Sequence, residues 1–233
     1  MAAPTLLHVT QVAPYRDGPA GVHGVLDQSA TAVAQLAESA GLTGRTVTDV
    51  RTLDPDELAG ARVVSLFTIG ETPWTPAQRA ALLDAVNAGR TSVLAVHSAT
   101  DACHGWDEYV RLVGARFAGH PWTRTFTLDV VEPDHPAVAH LGPTWEWHDE
   151  VYTFTGLRPD ARVLLAARGA ELDDGHGPGA AGPSDYPLSW CFAEGRGRVF
   201  STSLGHFPHA WESPDYLRHL AGGLDWLLSP TIP

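Results

Sequence analysis

The chain contains no lysine; all fifteen of its basic residues are arginine. That absence removes Schiff-base aldolases, pyridoxal enzymes, the phosphate-holding lysine of P-loop proteins and the kinase catalytic lysine. Asparagine occurs once, as Asn87, and methionine only as Met1. Scarce Lys, Asn and Ile beside abundant Ala, Gly, Pro and Arg are the mark of a GC-rich coding sequence, so the absences exclude mechanisms without implying adaptation. Two cysteines, Cys103 and Cys191, are too few for a disulfide framework. No apolar run approaches the ~20 residues that cross a bilayer. The first residues lack the basic and apolar regions of a signal peptide. A cytoplasmic protein with no membrane partner is expected.

Fifteen arginines against 27 acidic residues leave a net charge of −12. No run of arginine builds a positive stripe, so no nucleic-acid partner is expected. Hydrophobic content of 44% and charged content of 18% are those of a compact globular chain and argue against disorder. The length suits a single domain spanning residues 1–233, and a homo-oligomer is compatible with it.

The first half alternates strand-like and helix-like segments. Residues 6–9 form a short apolar strand, and residues 22–40 carry apolar side chains at helical spacing up to Gly41. Residues 45–51 read as a second strand, 54–58 as a helical turn, and 61–68 as a strand covered on both faces. Thr75-Pro76-Ala77-Gln78 spells the N-cap, first-turn proline and N3 glutamine of a capping box, with Gly89 where the helix should stop. Residues 91–99 give a further buried strand. This repeat predicts an α/β fold, a three-layer doubly wound and mainly parallel sheet. Ligands of such sheets bind beyond the carboxyl ends of the strands, which marks residues 10–14, 68–72 and 97–101 as the functional rim.

The second half lacks long intervening helices. Residues 123–131, 161–167, 187–192 and 198–204 read as additional strands, and 213–228 as a closing helix with Leu217, Leu220, Leu224 and Leu227 on one stripe. The Gly/Pro/Asp-rich segment 173–185 reads as an exposed loop. No internal repeat is present.

Small residues, Ala95 and Ala99, flank the turn after the strand at 91–99, as a sharp strand-to-helix elbow requires. Its apex is His97, which either acts at the rim or caps the strand end. An ordered set of motifs then runs through residues 60–228. It comprises Ala95-Val96-His97-Ser98-Ala99, Gly105-Trp106-Asp107-Glu108-Tyr109, Gly114-Ala115-Arg116-Phe117 with Gly119-His120-Pro121, and Asp134-His135-Pro136. It continues with Asp149-Glu150-Val151-Tyr152, Pro187-Leu188-Ser189-Trp190, Gly197-Arg198-Val199-Phe200, Leu204-Gly205-His206 and Leu224-Asp225-Trp226. Each is weak alone; in this order and spacing the chain resembles the ThuA-like (trehalose utilisation) family of the class I glutamine amidotransferase-like superfamily.

The resemblance implies a flavodoxin-like, amidotransferase-like fold and a role in disaccharide use, with a small carbohydrate as partner, oxidised forms such as 3-keto sugars included. It also implies what the chain lacks. Glutamine amidotransferases carry a cysteine at the elbow, whereas Cys103 lies six residues past His97. His206 sits where the superfamily keeps its histidine, but without a thiolate beside it glutaminase chemistry has no nucleophile. A serine triad through Ser98 would need the serine at the apex.

What remains is histidine and carboxylate. His97, Glu150 and His206 are the candidate catalytic residues, working by acid–base chemistry. His23, His97, His148, Glu150 and His206 are the candidate ligands of a divalent metal such as zinc, since His148 and Glu150 share a face if extended. No HExxH or CxxC spacing reinforces the metal. Trp106, His120, Trp145, Trp147 and Tyr152 are the expected sugar contacts, indoles stacking well on the apolar faces of sugars. The competing reading is a non-catalytic sugar-binding or regulatory module on the same scaffold.

Overall fold

A computed structural model of the chain describes residues 4–15, 24–172 and 185–230. His23 and nearly all of the 173–185 segment lie outside the described residues. The strands are β1 (Thr5–Val9), β2 (Thr43–Val47), β3 (Val63–Leu66), β4 (Ser92–Val96), β5 (Arg116–Val130), β6 (Thr144–Thr155), β7 (Arg162–Arg168), β8 (Asp185–Glu194) and β9 (Gly197–Thr202). The helices are α1 (Leu26–Ser39), α2 (Pro55–Gly60), α3 (Pro76–Asn87), α4 (Asp107–Val113), α5 (Gly169–Leu172), α6 (Pro208–Glu212) and α7 (Pro214–Leu228). No helix among the described residues is long and apolar enough to cross a membrane.

The nine strands of the described residues join one sheet in the order β2-β1-β3-β4-β9-β8-β7-β5-β6. The first five in that order are parallel, with the neighbour sequence of a flavodoxin-like sheet. Every pairing beyond β9 is antiparallel. The expectation of a mainly parallel sheet is therefore corrected to a mixed one. Parallel neighbours need crossovers of a dozen residues or more, which α1 to α3 help to supply. The later strands are joined without long helices and turn back on themselves. Three layers result: α1, α6 and α7 cover one face around Leu6, Val33, Phe200 and Leu224, while α2, α3 and α4 cover the other around Leu7, Leu58, Leu82 and Tyr109.

The capping box forms as spelled, Thr75 Oγ1 accepting from Gln78 N–H and Gln78 Oε1 from Thr75 N–H. Gln78 also donates to the Val50 and Leu53 carbonyls, 2.7 Å each, and so ties α3 to the segment before α2. Two features were not foreseen. β5 begins at Arg116, seven residues ahead of the expected 123, because register shifts around Gly119 absorb the Gly119 and Pro121 breakers. β6 forms along the sheet edge from an acidic, aromatic stretch that has no continuous apolar run.

Several buried polar side chains are paired inside this core. His8 lies between Ser65 Oγ, 2.9 Å from Nδ1, and Ser29 Oγ, 3.1 Å from Nε2. Burial pushes its pKa down from 6.5 to about 3, and that of His219 to about 4. Between those values and pH 6.5 the unfolded chain binds protons that the native histidines refuse. Stability present above pH 6.5 is therefore lost as pH falls, by about 1.4 kcal/mol per pH unit for each histidine. Urea denaturation from pH 7 to 4 should show His8→Asn flattening the acid limb by about one such slope. An unchanged slope would remove His8 from the acid response.

Candidate functional site

The buried run of β4 ends at Val96, and the next residue, His97, adopts φ = +48°. A left-handed backbone is uncommon for a residue with a side chain, and held strain of this kind clusters at functional turns. The elbow delivers His97 above the carboxyl end of β4, where its ring is fully buried. Its Nδ1 lies 2.7 Å from the carbonyl of Ser203, just past β9. A carbonyl only accepts, so Nδ1 carries the proton and Nε2 of the neutral ring offers its lone pair.

Among the described residues, Tyr152, His206 and Glu150 meet that nitrogen. Tyr152 Oη donates to it at 3.0 Å, His206 Nδ1 lies 3.2 Å away, and Glu150 Oε2 lies 3.8 Å away. His206 Nδ1 is 3.4 Å from the same Glu150 oxygen. Glu150 and Tyr152 come from one face of β6, and His206 follows β9 through Gly205, whose φ of +118° suits glycine. A Cβ on Gly205 would run into the Tyr216 hydroxyl.

The position of Glu150 is set by its neighbour Asp149, which is wholly buried. Asp149 Oδ2 accepts from Gly205 N–H at 2.8 Å and Trp147 Nε1–H at 3.0 Å, and Oδ1 accepts from Glu150 N–H at 2.9 Å. One carboxylate thus clamps β6 to the loop carrying His206. Desolvation raises the Asp149 pKa even against these donors. Burial likewise raises that of Glu150, with His206 and His120 pulling it back and Asp149 adding to the rise. Burial holds the Tyr152 phenol well above its ordinary value, with Glu150 and Asp101 adding to it, so it remains a donor.

Ligand atoms of His97, Glu150 and His206 all lie within 4.8 Å of one another. Two imidazoles and a carboxylate are a fitting donor set for zinc. Tetrahedral bonds of ~2.1 Å set ligand atoms about 3.4 Å apart, close to the separations found. The Ser203 carbonyl fixes the His97 tautomer as an outer partner does for a metal-bound imidazole. The same groups, without a metal, are arranged to relay a proton.

The other expected residues divide. His120 is half-exposed at the outer wall, its Nδ1 3.6 Å from Glu150 Oε1. Its ring lies 6.0 Å from that of Tyr152. His148 shares the Glu150 face of β6 but stays outside the cluster, 3.2 Å from Thr125 Oγ1 and beside Phe207. Trp106 is 4% exposed and packs on Trp74 and Tyr109 in the layer of α3 and α4, so its indole is not presented to solvent. Trp147 is 6% exposed, held by Asp149 and stacked on Tyr216. Trp145 packs on Trp147 at 4.5 Å, against the core. Trp147 is enclosed, and Trp145 half-buried, because β6 turns its odd-numbered residues inward here. Phe67, Phe117 and Phe207 supply the aromatic surroundings instead, against His97, Tyr152 and His206 respectively.

Asp101 and Tyr15 were not anticipated. Tyr15 Oη donates to Asp101 Oδ2 at 2.6 Å, and His104 Nε2 lies 3.6 Å from Oδ1. Burial raises the Asp101 pKa, while Tyr15, His104 and His120 lower it. Asp101 does fall in the rim segment 97–101, so its position was legible; Tyr15 lies one residue beyond the segment at 10–14. Cys103 is buried against Thr72 Oγ1, its pKa pushed up to about 11 by desolvation, so its sulfur is a thiol. Ser98 is wholly buried and its hydroxyl has no hydrogen-bond partner among the described residues.

A family model for trehalose utilisation, ThuA, matches residues 15–227. No curated protein matches the chain. A solved structure described as a ThuA-like protein from Parabacteroides merdae is 20% identical with a TM-score of 0.74, covering 100% of this chain and 94% of that one. Another, from Bacteroides uniformis, is 18% identical with a TM-score of 0.75, covering 99% and 94%. A Thermoplasma acidophilum protein described as part of a GMP synthase is 10% identical with a TM-score of 0.51, covering 97% and 96%. At these identities the structures establish the shared fold, an amidotransferase-like one.

Proposed function

The chain belongs to the ThuA, trehalose utilisation, family, and from that premise we propose that it is a cytoplasmic enzyme eliminating the glycosidic bond of a 3-keto disaccharide. The convergence of His97, Glu150 and His206 within 4.8 Å carries this reading. These three would hold a divalent cation such as zinc, which when bound supplies Lewis acidity to an enediolate oxygen.

The chain's own groups do the rest. A ketone at C3 acidifies the C2 proton, and we assign its removal to Asp101, whose pKa is raised by burial and which is therefore a stronger base than an exposed carboxylate. The released electron pair forms the C1–C2 double bond as the C1–O bond breaks. The departing oxygen takes its proton from His120, at the outer wall beside Glu150. Tyr152 is kept protonated by burial, and with His97 Nε2 committed to a cation its hydroxyl would be released from that nitrogen to donate to a substrate oxygen. Phe67 and Phe117 keep water from the inner side.

The test uses purified, zinc-supplemented protein with trehalose and with 3-keto-trehalose. We expect about one zinc per chain, and glucose release from the keto sugar only. Thermal stabilisation by the keto sugar with no turnover and no retained metal would overturn the enzyme reading in favour of a sugar-binding module.

A further inference from the structure

A cavity lies at the end of the sheet opposite His97. It measures about 200 Å³ and is lined by Arg62, Ser92, Arg196, Arg198 and the end of α7 at Leu227 and Ser229. Arg62 directly precedes β3, Ser92 opens β4 and Arg198 is the second residue of β9, so the cavity sits at the amino ends of adjacent strands. His97 follows the carboxyl end of β4, about 16 Å away at ~3.3 Å per residue.

Three arginines converging on a chain of net charge −12 need an explanation. Eight other arginines each face a carboxylate within 4 Å, Arg45 with Glu57 and Arg168 with Asp129 among them. Among the described residues, Arg62, Arg196 and Arg198 face none, and no acidic side chain lines the cavity. Arg198 is anchored at 4% exposure. Its Nη1 donates to the carbonyls of Trp226 at 2.5 Å and Ser229 at 2.7 Å, and its guanidinium lies over the Trp226 ring. Capping α7 in this way explains Arg198; Arg62 Nη1 makes one long hydrogen bond to the Arg90 carbonyl, 3.5 Å, which leaves its charge without a counter-ion among the described residues. Desolvation lowers the Arg198 pKa and Arg62 lowers it further, so the two cations repel one another. An anion between them would reverse that cost.

We propose that this cavity binds a phosphoryl group, either inorganic phosphate or the phosphomonoester end of a small molecule, at a site separate from His97, Glu150 and His206. Guanidinium forks match the oxygens of phosphate, and a dianion answers several converging cations better than a single carboxylate does. The volume lies below the ~300–1,000 Å³ of drug-sized pockets, which restricts the occupant to a small anion.

Calorimetric titration of the EDTA-treated full chain at low salt, with inorganic phosphate and with glycerol phosphate as probes, decides this. Chloride at matched ionic strength is the control. Saturable binding is expected, weaker by ~10-fold or more in the Arg62→Gln/Arg196→Gln double variant and unchanged in His97→Ala. Arg198 is left intact because it holds the end of α7. Tighter binding of glycerol phosphate would support an organic phosphomonoester, and tighter binding of phosphate the free ion. No saturable heat from either probe, equal affinity in the double variant, or loss of binding in His97→Ala would each overturn the proposal.

Discussion

Glu150→Gln is expected to lower keto-sugar turnover by about 100-fold or more and zinc affinity by about 10- to 100-fold. The substitution keeps the size of the side chain and removes only its charge. Glu150 Oε2 is the atom that lies near both His97 and His206, at 3.8 and 3.4 Å, so a neutral amide there weakens the set at its centre. Its carboxyl pKa is already raised by burial, and His206 and His120 are the imidazoles that favour its charged form. His206→Ala should behave in the same direction, since it deletes one of the two imidazoles. Metal content after gel filtration and initial rates on 3-keto-trehalose are the measurements. Full turnover in both variants would refute the role given to the cluster.

Asp149→Ala should be the most destabilising single change near the site, by about 3–5 kcal/mol. Three donors, Gly205 N–H, Trp147 Nε1–H and Glu150 N–H, would lose their acceptor inside a buried region. The loop bearing His206 and the strand bearing Glu150 would part at the same time, so metal retention should fall with stability. Asp149→Asn keeps one oxygen for Gly205 and Trp147 but turns an NH2 toward Glu150 N–H, and should cost about 1–3 kcal/mol. Urea denaturation at pH 7 with an unchanged m value reads both. Equal stability of wild type and Asp149→Ala would show that the clamp contributes nothing.

Much of the parallel half of the fold could be read along the chain, because its determinants are local. The capping box of α3 and the small residues around His97 are contiguous in sequence, and each formed where expected. β6 could not be read in this way. Its acidic and aromatic residues become strand-forming only through pairing with β5 along the sheet edge, a long-range contact. Trp147 is buried instead of presented to the rim for a related reason. The spacing of Trp145 and Trp147 to His148 and Glu150 suggested a sugar platform, but which face of β6 turns inward depends on the sheet that receives it. Trp147 was taken by Asp149 and Tyr216, and Trp145 packed behind it.

The sequence by itself determined an inventory and an apex: no lysine, a cysteine too late for the elbow, and His97 on a turn that small neighbours permit. These follow from residue identity and local backbone sterics, which need no partner. Only the tertiary structure decided what His97 meets. Tyr152 and His206 reach it from 55 and 109 positions away, and the Ser203 carbonyl, on the same loop after β9 as His206, sets its tautomer. Side chains of ordinary type gain a joint chemistry when separate strands end at one rim, and that meeting is a property of strand order, which no local pattern encodes.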